Sequence, residues 1–166
     1  MKNDKNNGVL PGAVLCGTLT LAAAMLTRAW AGAPYEGIHR MGIGEVISPV
    51  WLMALLWLLW YFGLGAVCGA VCGGVLTSHG GCSIGAWRGA CFFVIMIFLG
   101  LVWYPLFFSR CALGLCVLLT VLLIGLCVLC ALNWQNLSLA AAAVLYLHAL
   151  WLIYMLVLQV ACVFRT

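Results

Sequence analysis

The fourth apolar run of this chain contains the stretch Val117-Leu-Leu-Thr-Val-Leu-Leu-Ile124, in which Thr120 is the only polar residue. Extended outward, the run covers about 111–132. This is long enough to cross a membrane, because a transmembrane helix needs roughly 20 mostly apolar residues. A strand of a membrane barrel would alternate polar and apolar residues, and this stretch does not. The stretch therefore predicts a transmembrane helix.

Four more apolar runs lie in the chain, separated by polar or glycine-rich breaks. We predict five spans in all, at about 9–29, 49–76, 86–108, 111–132 and 139–164, with a polar loop at 30–48. Ser138 precedes the last span and is a suitable N-cap for its helix. The predicted fold class is an all-α integral membrane protein, a bundle of five transmembrane helices in a single membrane domain over 1–166.

The composition agrees with lipid as the surrounding solvent. Of 166 residues, 67% are hydrophobic and 6% are charged, whereas a soluble domain has roughly a quarter of its residues charged. A charge at the bilayer centre costs at least about 2.5–3.5 kcal/mol, and the charged residues here lie at chain ends, in breaks or within a turn of a break. The net charge of +4 is too small and too scattered to indicate nucleic-acid binding.

The first run has two interpretations. Lys2 and Lys5 before an apolar stretch, with Ala29-Trp-Ala31 after it, resemble a cleaved signal peptide. The run is longer than a usual signal core, and Arg28 lies just before the supposed cleavage site, so we favour a retained helix. The distribution of Lys and Arg over the two membrane sides weakly favours a cytoplasmic C-terminus.

Small residues recur along the second span. Gly65, Gly69 and Gly73 are four residues apart and share one helix face. Membrane helices approach one another closely at such faces, because lipid provides no hydrophobic drive between helices. The face is predicted to pack against another helix, either within the bundle or in a second subunit.

Aromatic rings are abundant, with eight Trp, seven Phe and five Tyr. Those near span ends fit an interfacial belt at the headgroup levels, namely Trp30, Tyr35, Trp51, Trp87 and Trp134. Others lie deeper in the spans, namely Trp57, Trp60, Tyr61, Trp103 and Trp151. Deep rings either pack the bundle or line a pocket for an aromatic ligand, and the residues alone leave both alternatives open.

Few polar side chains lie deep in the spans, and an intramembrane histidine usually faces the bundle interior. His148, Trp151 and Tyr154 lie roughly along one face of the fifth helix. His148 either belongs to a functional site or bonds a neighbouring helix. No metal site is predicted, because no second histidine or carboxylate lies at ligand spacing. No catalytic residues are predicted either, because the three carboxylates of the chain lie outside the spans.

Most of the ten cysteines lie inside apolar runs, where cysteine packs as a small hydrophobe. Cys127-x-x-Cys130 has the spacing of thiol oxidoreductases, which need an exposed and reactive thiol pair. No basic residue accompanies this pair. A membrane thiol oxidoreductase that uses Cys127 and Cys130 is therefore an alternative and not the leading hypothesis.

The motifs of three spans, taken in order, resemble one family. The second span begins Ser48-Pro49-Val50-Trp51 and continues Leu56-Trp-Leu-Leu-Trp-Tyr-Phe-Gly-Leu-Gly65. The third ends Gly100-Leu-Val-Trp-Tyr-Pro-Leu-Phe-Phe108, and the fifth contains Leu147-His-Ala-Leu-Trp151 with Gln159 following. From about Tyr35 to Gln159 the chain resembles the translocator protein family, also called tryptophan-rich sensory proteins or peripheral-type benzodiazepine receptors.

The resemblance implies a bundle of five helices, commonly dimeric, with a pocket that binds porphyrins, haem-like tetrapyrroles or sterol-like lipids. By this resemblance the pocket residues would be Trp57, Tyr61, Trp103 and Trp151, with Gly100 and His148 beside them. Gly100 replaces the family's Asn and His148 replaces its Tyr, which changes the polarity where a ligand would lie.

The leading hypothesis is a membrane receptor or carrier for a flat hydrophobic ligand, in the cytoplasmic membrane of a bacterium. No cofactor is required, although a porphyrin or haem is a candidate ligand. The expected partners are the lipid bilayer, this ligand and a second copy of the chain. Besides the thiol oxidoreductase, the other alternative is a packing subunit of a membrane complex that has no ligand of its own and binds through Gly65, Gly69 and Gly73.

Overall fold

The computed structural model describes residues 9–32, 50–77 and 84–164. These residues form five helices, α1 (Val9–Ala31), α2 (Val50–Thr77), α3 (Ile84–Phe108), α4 (Leu113–Trp134) and α5 (Leu139–Val163). The shortest, α4, has 22 residues, about 33 Å of helix against a hydrocarbon core of about 30 Å. All five are long and apolar enough to cross a membrane, and the described ranges contain no strand. The predicted all-α five-helix membrane fold is confirmed.

The helix ends lie within about two residues of the predicted spans. The largest shifts are of two residues: α4 begins and ends two residues later than the predicted span, α3 begins two residues earlier, at Ile84, and α1 continues to Ala31. The rest of the predicted loop at 30–48 lies outside the described residues beyond Gly32. Ser138 caps α5 as predicted, because its side chain accepts a hydrogen bond from the Ala141 N–H at 3.3 Å.

The helices pack as two groups, α1 with α2 and α4 with α3 and α5, and the largest contact between the groups is that of α1 with α3. α1 packs most extensively on α2, whereas α4 packs most extensively on α3 and α5. α1 also contacts α3, and α2 makes smaller contacts with α3 and α5. At one end of the bundle the Ser109 hydroxyl, just after α3, donates a hydrogen bond to the Ala31 carbonyl at the end of α1. We call this the Ser109 end.

The glycine face of α2 packs against α1. A Cβ on Gly65 would lie 2.5 Å from the Cys16 carbonyl oxygen, and a Cβ on Gly69 would lie 2.5 Å from the Gly12 carbonyl carbon. A Cβ on Gly12 would in turn lie 3.6 Å from the Cα of Gly73. The two backbones are therefore in contact, which only residues without side chains permit. Because α1 covers this face, the face is not free to bind a second subunit.

Trp134 differs from the predicted interfacial belt. It lies at the end of α4, yet it is 0% exposed, whereas Trp30 is 81% and Trp87 is 64% exposed. Its ring stacks on Phe93 at 5.8 Å and packs against Gly89, where a Cβ would lie 2.5 Å from Cδ1 of the Trp134 indole. The expectation was wrong because the absent side chain at Gly89 leaves room for the indole inside the bundle. The Tyr35 and Trp51 side chains lie outside the described part of the chain.

Candidate ligand-binding site

Four aromatic rings meet between α2 and α3 towards the Ser109 end. The Trp57 ring lies 4.6 Å from that of Tyr61 and 4.5 Å from that of Tyr104, between centroids. Tyr104 in turn lies 4.8 Å from Phe108. All three pairs are tilted, a geometry that aromatic quadrupoles favour over a face-to-face sandwich. We call Trp57, Tyr61, Tyr104 and Phe108 the aromatic cluster.

Gly100 makes room for one member of this cluster. The Tyr61 hydroxyl occupies the place where a side chain on Gly100 would begin. The Tyr61 side chain is 6% exposed, so its oxygen is held inside the bundle. The Thr20 hydroxyl also donates to the Tyr61 carbonyl oxygen at 2.9 Å, which holds this turn of α2 against α1. The structure thus brings together two residues that the resemblance placed in the pocket.

Trp103 has its main partners elsewhere. Its ring stacks on Phe107 at 4.9 Å, and its indole N–H donates to the Thr120 hydroxyl of α4 at 3.0 Å. Thr120 also lies 3.0 Å from the Gln159 amide oxygen of α5 and 2.8 Å from the Cys116 carbonyl oxygen. Trp103 is therefore part of a buried polar group that joins α3, α4 and α5. Its link to the aromatic cluster is an edge contact with Phe108 at 6.1 Å.

His148 is bonded to a neighbouring helix. The Trp60 indole N–H of α2 donates to Nδ1 of His148, and the two rings lie 5.7 Å apart. Because Nδ1 accepts this bond, the neutral imidazole carries its proton on Nε2. His148 is 8% exposed. The bond ties α5 to α2 one turn beyond Trp57.

Trp151 lies at the edge of the core. It is half-buried, and its ring packs on Tyr154 of the same helix at 5.6 Å. Tyr154 itself is 44% exposed. The predicted face of α5 therefore turns from the bundle interior at His148 to the lipid side at Tyr154. The contacts described for Trp151 do not join it to the aromatic cluster.

The thiols of Cys127 and Cys130 are both 0% exposed. The Cys127 Sγ donates to the Leu145 carbonyl of α5 at 2.9 Å, and the Cys130 Sγ donates to the Gly89 carbonyl of α3 at 3.3 Å. The two side chains thus bond different helices, and neither is open to a substrate or to solvent. The geometry argues against the thiol oxidoreductase alternative.

Two members of the cluster were not singled out from the sequence. Tyr104 and Phe108 entered only as parts of the motif at the end of the third span. Gly100, Tyr104 and Phe108 are four residues apart and share one face of α3, a spacing that would have grouped them. Among the described residues no cluster of His, Cys, Asp or Glu is arranged to hold a metal ion.

Comparison with known proteins gives one family. The model of the TspO/MBR family matches residues 12–165, which is nearly the whole chain and includes all of the aromatic cluster. No curated protein and no solved structure matches the chain.

Proposed function

Since the chain belongs to the TspO/MBR family, as the order of its motifs indicated, we propose that it is a membrane receptor or carrier for a flat hydrophobic ligand. Membership supports a role in ligand binding or transport within the membrane. The ligand class that we propose is a porphyrin or related tetrapyrrole, with a sterol-like lipid as the second candidate. The ligand would stack on the aromatic cluster.

The observation that carries the proposal is the contact of Trp57 with both Tyr61 and Tyr104, at 4.6 and 4.5 Å between centroids. Indole and phenol rings offer flat apolar surfaces with a polar edge, which suits a planar amphipathic molecule. The cluster lies between helices rather than within one, at the level of the first turns of α2 and the last turns of α3.

Binding requires movement of these rings. A planar ligand placed between two rings needs about 7 Å between them, since stacked carbon atoms lie about 3.5 Å apart. Trp57 and Tyr104 are closer than that, so the ligand must separate them or displace one. α2 packs less extensively on α3 than on α1. Separation of the Trp57 turn of α2 from α3, with the end of α1 kept on α3 by the bond from Ser109 to the Ala31 carbonyl, is therefore the motion that we propose for ligand entry.

The other residues have different roles in this proposal. Gly100 provides the space for the Tyr61 hydroxyl, and His148 positions the α2 turn that carries Trp60. Trp103 supports the cluster through Phe108. Trp151 would contact the ligand only at its edge.

The test is a titration of the detergent-purified protein with protoporphyrin IX, followed by quenching of tryptophan fluorescence. We expect saturable quenching. Trp57→Ala should lose about tenfold or more in affinity, because the stacking of a flat ring, such as a nucleic-acid base, on an aromatic side chain contributes about 1–3 kcal/mol. Trp87→Ala is the matched control, since Trp87 is 64% exposed on the lipid side. Equal loss in both variants, or no saturable quenching by the parent, would contradict the proposal.

The proposal extends to assembly and location. From the resemblance we propose that the protein forms a homodimer and lies in the cytoplasmic membrane of a bacterium. The mass of the protein solubilised in detergent tests whether it is a dimer. The α2 glycine face packs on α1, so a dimer would use another surface. A ligand-free packing subunit, the other alternative, would likewise have to bind through a surface other than Gly65, Gly69 and Gly73.

A further inference from the structure

The hydroxyl of Tyr104 lies buried in the aromatic cluster without a hydrogen-bond partner. The side chain is 3% exposed. A buried hydroxyl without a partner costs about 1–3 kcal/mol, and a phenylalanine would make the same ring contacts with Trp57 and Phe108 without that cost. Packing therefore accounts for the ring of Tyr104 but not for its oxygen.

A cation lies near this oxygen. Arg28, in the last turn of α1, lies within electrostatic range of the Tyr104 hydroxyl. The bond from Ser109 to the Ala31 carbonyl holds the end of α1 against the end of α3, which keeps Arg28 at this position. A cation in the last turn of a helix is favourable in itself, but that does not explain an unpartnered hydroxyl beside it.

The described residues include no acidic side chain that could pair with Arg28 or accept a hydrogen bond from Tyr104. A phenol O–H and a guanidinium both donate hydrogen bonds, and a carboxylate can accept from both. Such charge-assisted hydrogen bonds are stronger than those between neutral groups. Arg28 is half-buried, so screening by water is reduced there. The Tyr104 hydroxyl belongs to the aromatic cluster itself, whose rings offer a flat surface next to it.

We infer that Tyr104 and Arg28 form a carboxylate subsite, which binds the acid group of a ligand whose flat body stacks on the aromatic cluster. The inference rests on the proposed function and narrows it. The ligand class becomes a flat amphipathic carboxylic acid, such as a porphyrin with propionate side chains. An uncharged sterol would leave the subsite unused.

The experiment compares two probes that differ only in the acid groups, protoporphyrin IX and its dimethyl ester, titrated against the same detergent-purified full chain. The parent is expected to bind the diacid about tenfold more tightly than the diester. Tyr104→Phe and Arg28→Gln are each expected to weaken the affinity for the diacid about tenfold. Neither variant should change the affinity for the diester.

Matched controls separate a binding role from a structural one. Tyr154→Phe changes a tyrosine that is 44% exposed, and Arg110→Gln changes an exposed cation just after α3. Both are expected to leave the affinities for both probes unchanged. Thermal stability in detergent is measured in parallel, and Tyr104→Phe is expected to be at least as stable as the parent.

The remaining outcomes overturn the inference. Equal affinity of the parent for both probes, unchanged in Tyr104→Phe and Arg28→Gln, removes the subsite and leaves the receptor proposal intact. Equal loss for both probes in Tyr104→Phe shows that the hydroxyl acts on the fold alone. Failure of the parent to bind either probe removes the proposed function and the subsite with it.

Discussion

At the scale of single residues, Gly100 differs from the residue of the family motif, and a side chain of another helix fills the space that this glycine leaves. The motif has Asn at this place, and here the hydroxyl of Tyr61 occupies the space that a side chain would need. Tyr61 was predicted as a pocket residue from its own motif. The Tyr61 oxygen fills the space at Gly100 because α2 and α3 lie close together there. The sequence motifs of the two helices give no information on this distance.

Gly100→Ala is expected to lower stability by about 1–3 kcal/mol, because its new methyl group would overlap the Tyr61 hydroxyl inside a packed bundle. The measurement is thermal or denaturant unfolding in detergent. Adding Tyr61→Phe should restore most of the loss, since the next atom, Cζ of Tyr61, lies 3.5 Å from the new carbon. Gly125→Ala, with nothing within 4 Å of the new Cβ, is the control and should be neutral or slightly stabilising. A destabilised Gly125→Ala, or no rescue by Tyr61→Phe, would contradict this account.

The polar group of Trp103, Thr120 and Gln159 is a second feature at this scale. Each residue entered the sequence analysis separately, Trp103 as a pocket residue, Thr120 as the polar residue of an apolar stretch and Gln159 as part of the motif in the fifth span. The structure joins them, with Trp103 as donor to Thr120 at 3.0 Å and the Gln159 amide nitrogen buried without a partner. Hydrogen bonds between three helices cannot be read from the spacing within any one of them.

At the scale of elements, the α1–α2 pair depends on residues without side chains. Gly12, Gly65 and Gly69 allow backbone contact, and the Thr20 hydroxyl bonds the Tyr61 carbonyl across the pair at 2.9 Å. Small residues at i and i+4 predict a close helix contact. They do not identify the partner helix, which is α1 of the same chain.

Gly69→Ala is expected to weaken the α1–α2 contact, because its Cβ would lie 2.5 Å from a backbone carbon of Gly12 that cannot rotate away. A loss of about 1–3 kcal/mol is expected, as for other overpacked cores. Gly63→Ala, on the same helix but with nothing within 4 Å, should be neutral or slightly stabilising, because alanine favours helix formation. Unfolding of both variants in detergent gives the comparison, and equal stabilities would show that the face is not tightly packed.

At the scale of the whole molecule, burial decides the chemistry that is possible. Cys127 and Cys130 have a redox spacing, yet the bundle encloses both side chains and directs them to different helices. Cys111 lies in the turn between α3 and α4, partly exposed. The same residue type therefore occurs in an open and in an enclosed environment.

Maleimide labelling of the folded protein is expected to modify Cys111 and to leave Cys127 and Cys130 unmodified, since thiols must be reached before they react. After denaturation in detergent all three should react. Mass spectrometry of the labelled peptides measures the result. Rapid labelling of Cys127 and Cys130 in the folded protein would contradict the enclosed geometry and revive the thiol oxidoreductase alternative.

The sequence by itself determined the number of helices, their bounds to within about two residues, the membrane as solvent and the family. These depend on the length of apolar runs and on the order of motifs, which are local properties. The face that each helix turns inward was decided only by the tertiary structure. Helices in lipid are apolar on all sides, so the pattern that marks the buried face of a soluble helix is missing. The burial of Trp134, the partners of Trp103 and the unpartnered hydroxyl of Tyr104 all follow from that choice of face.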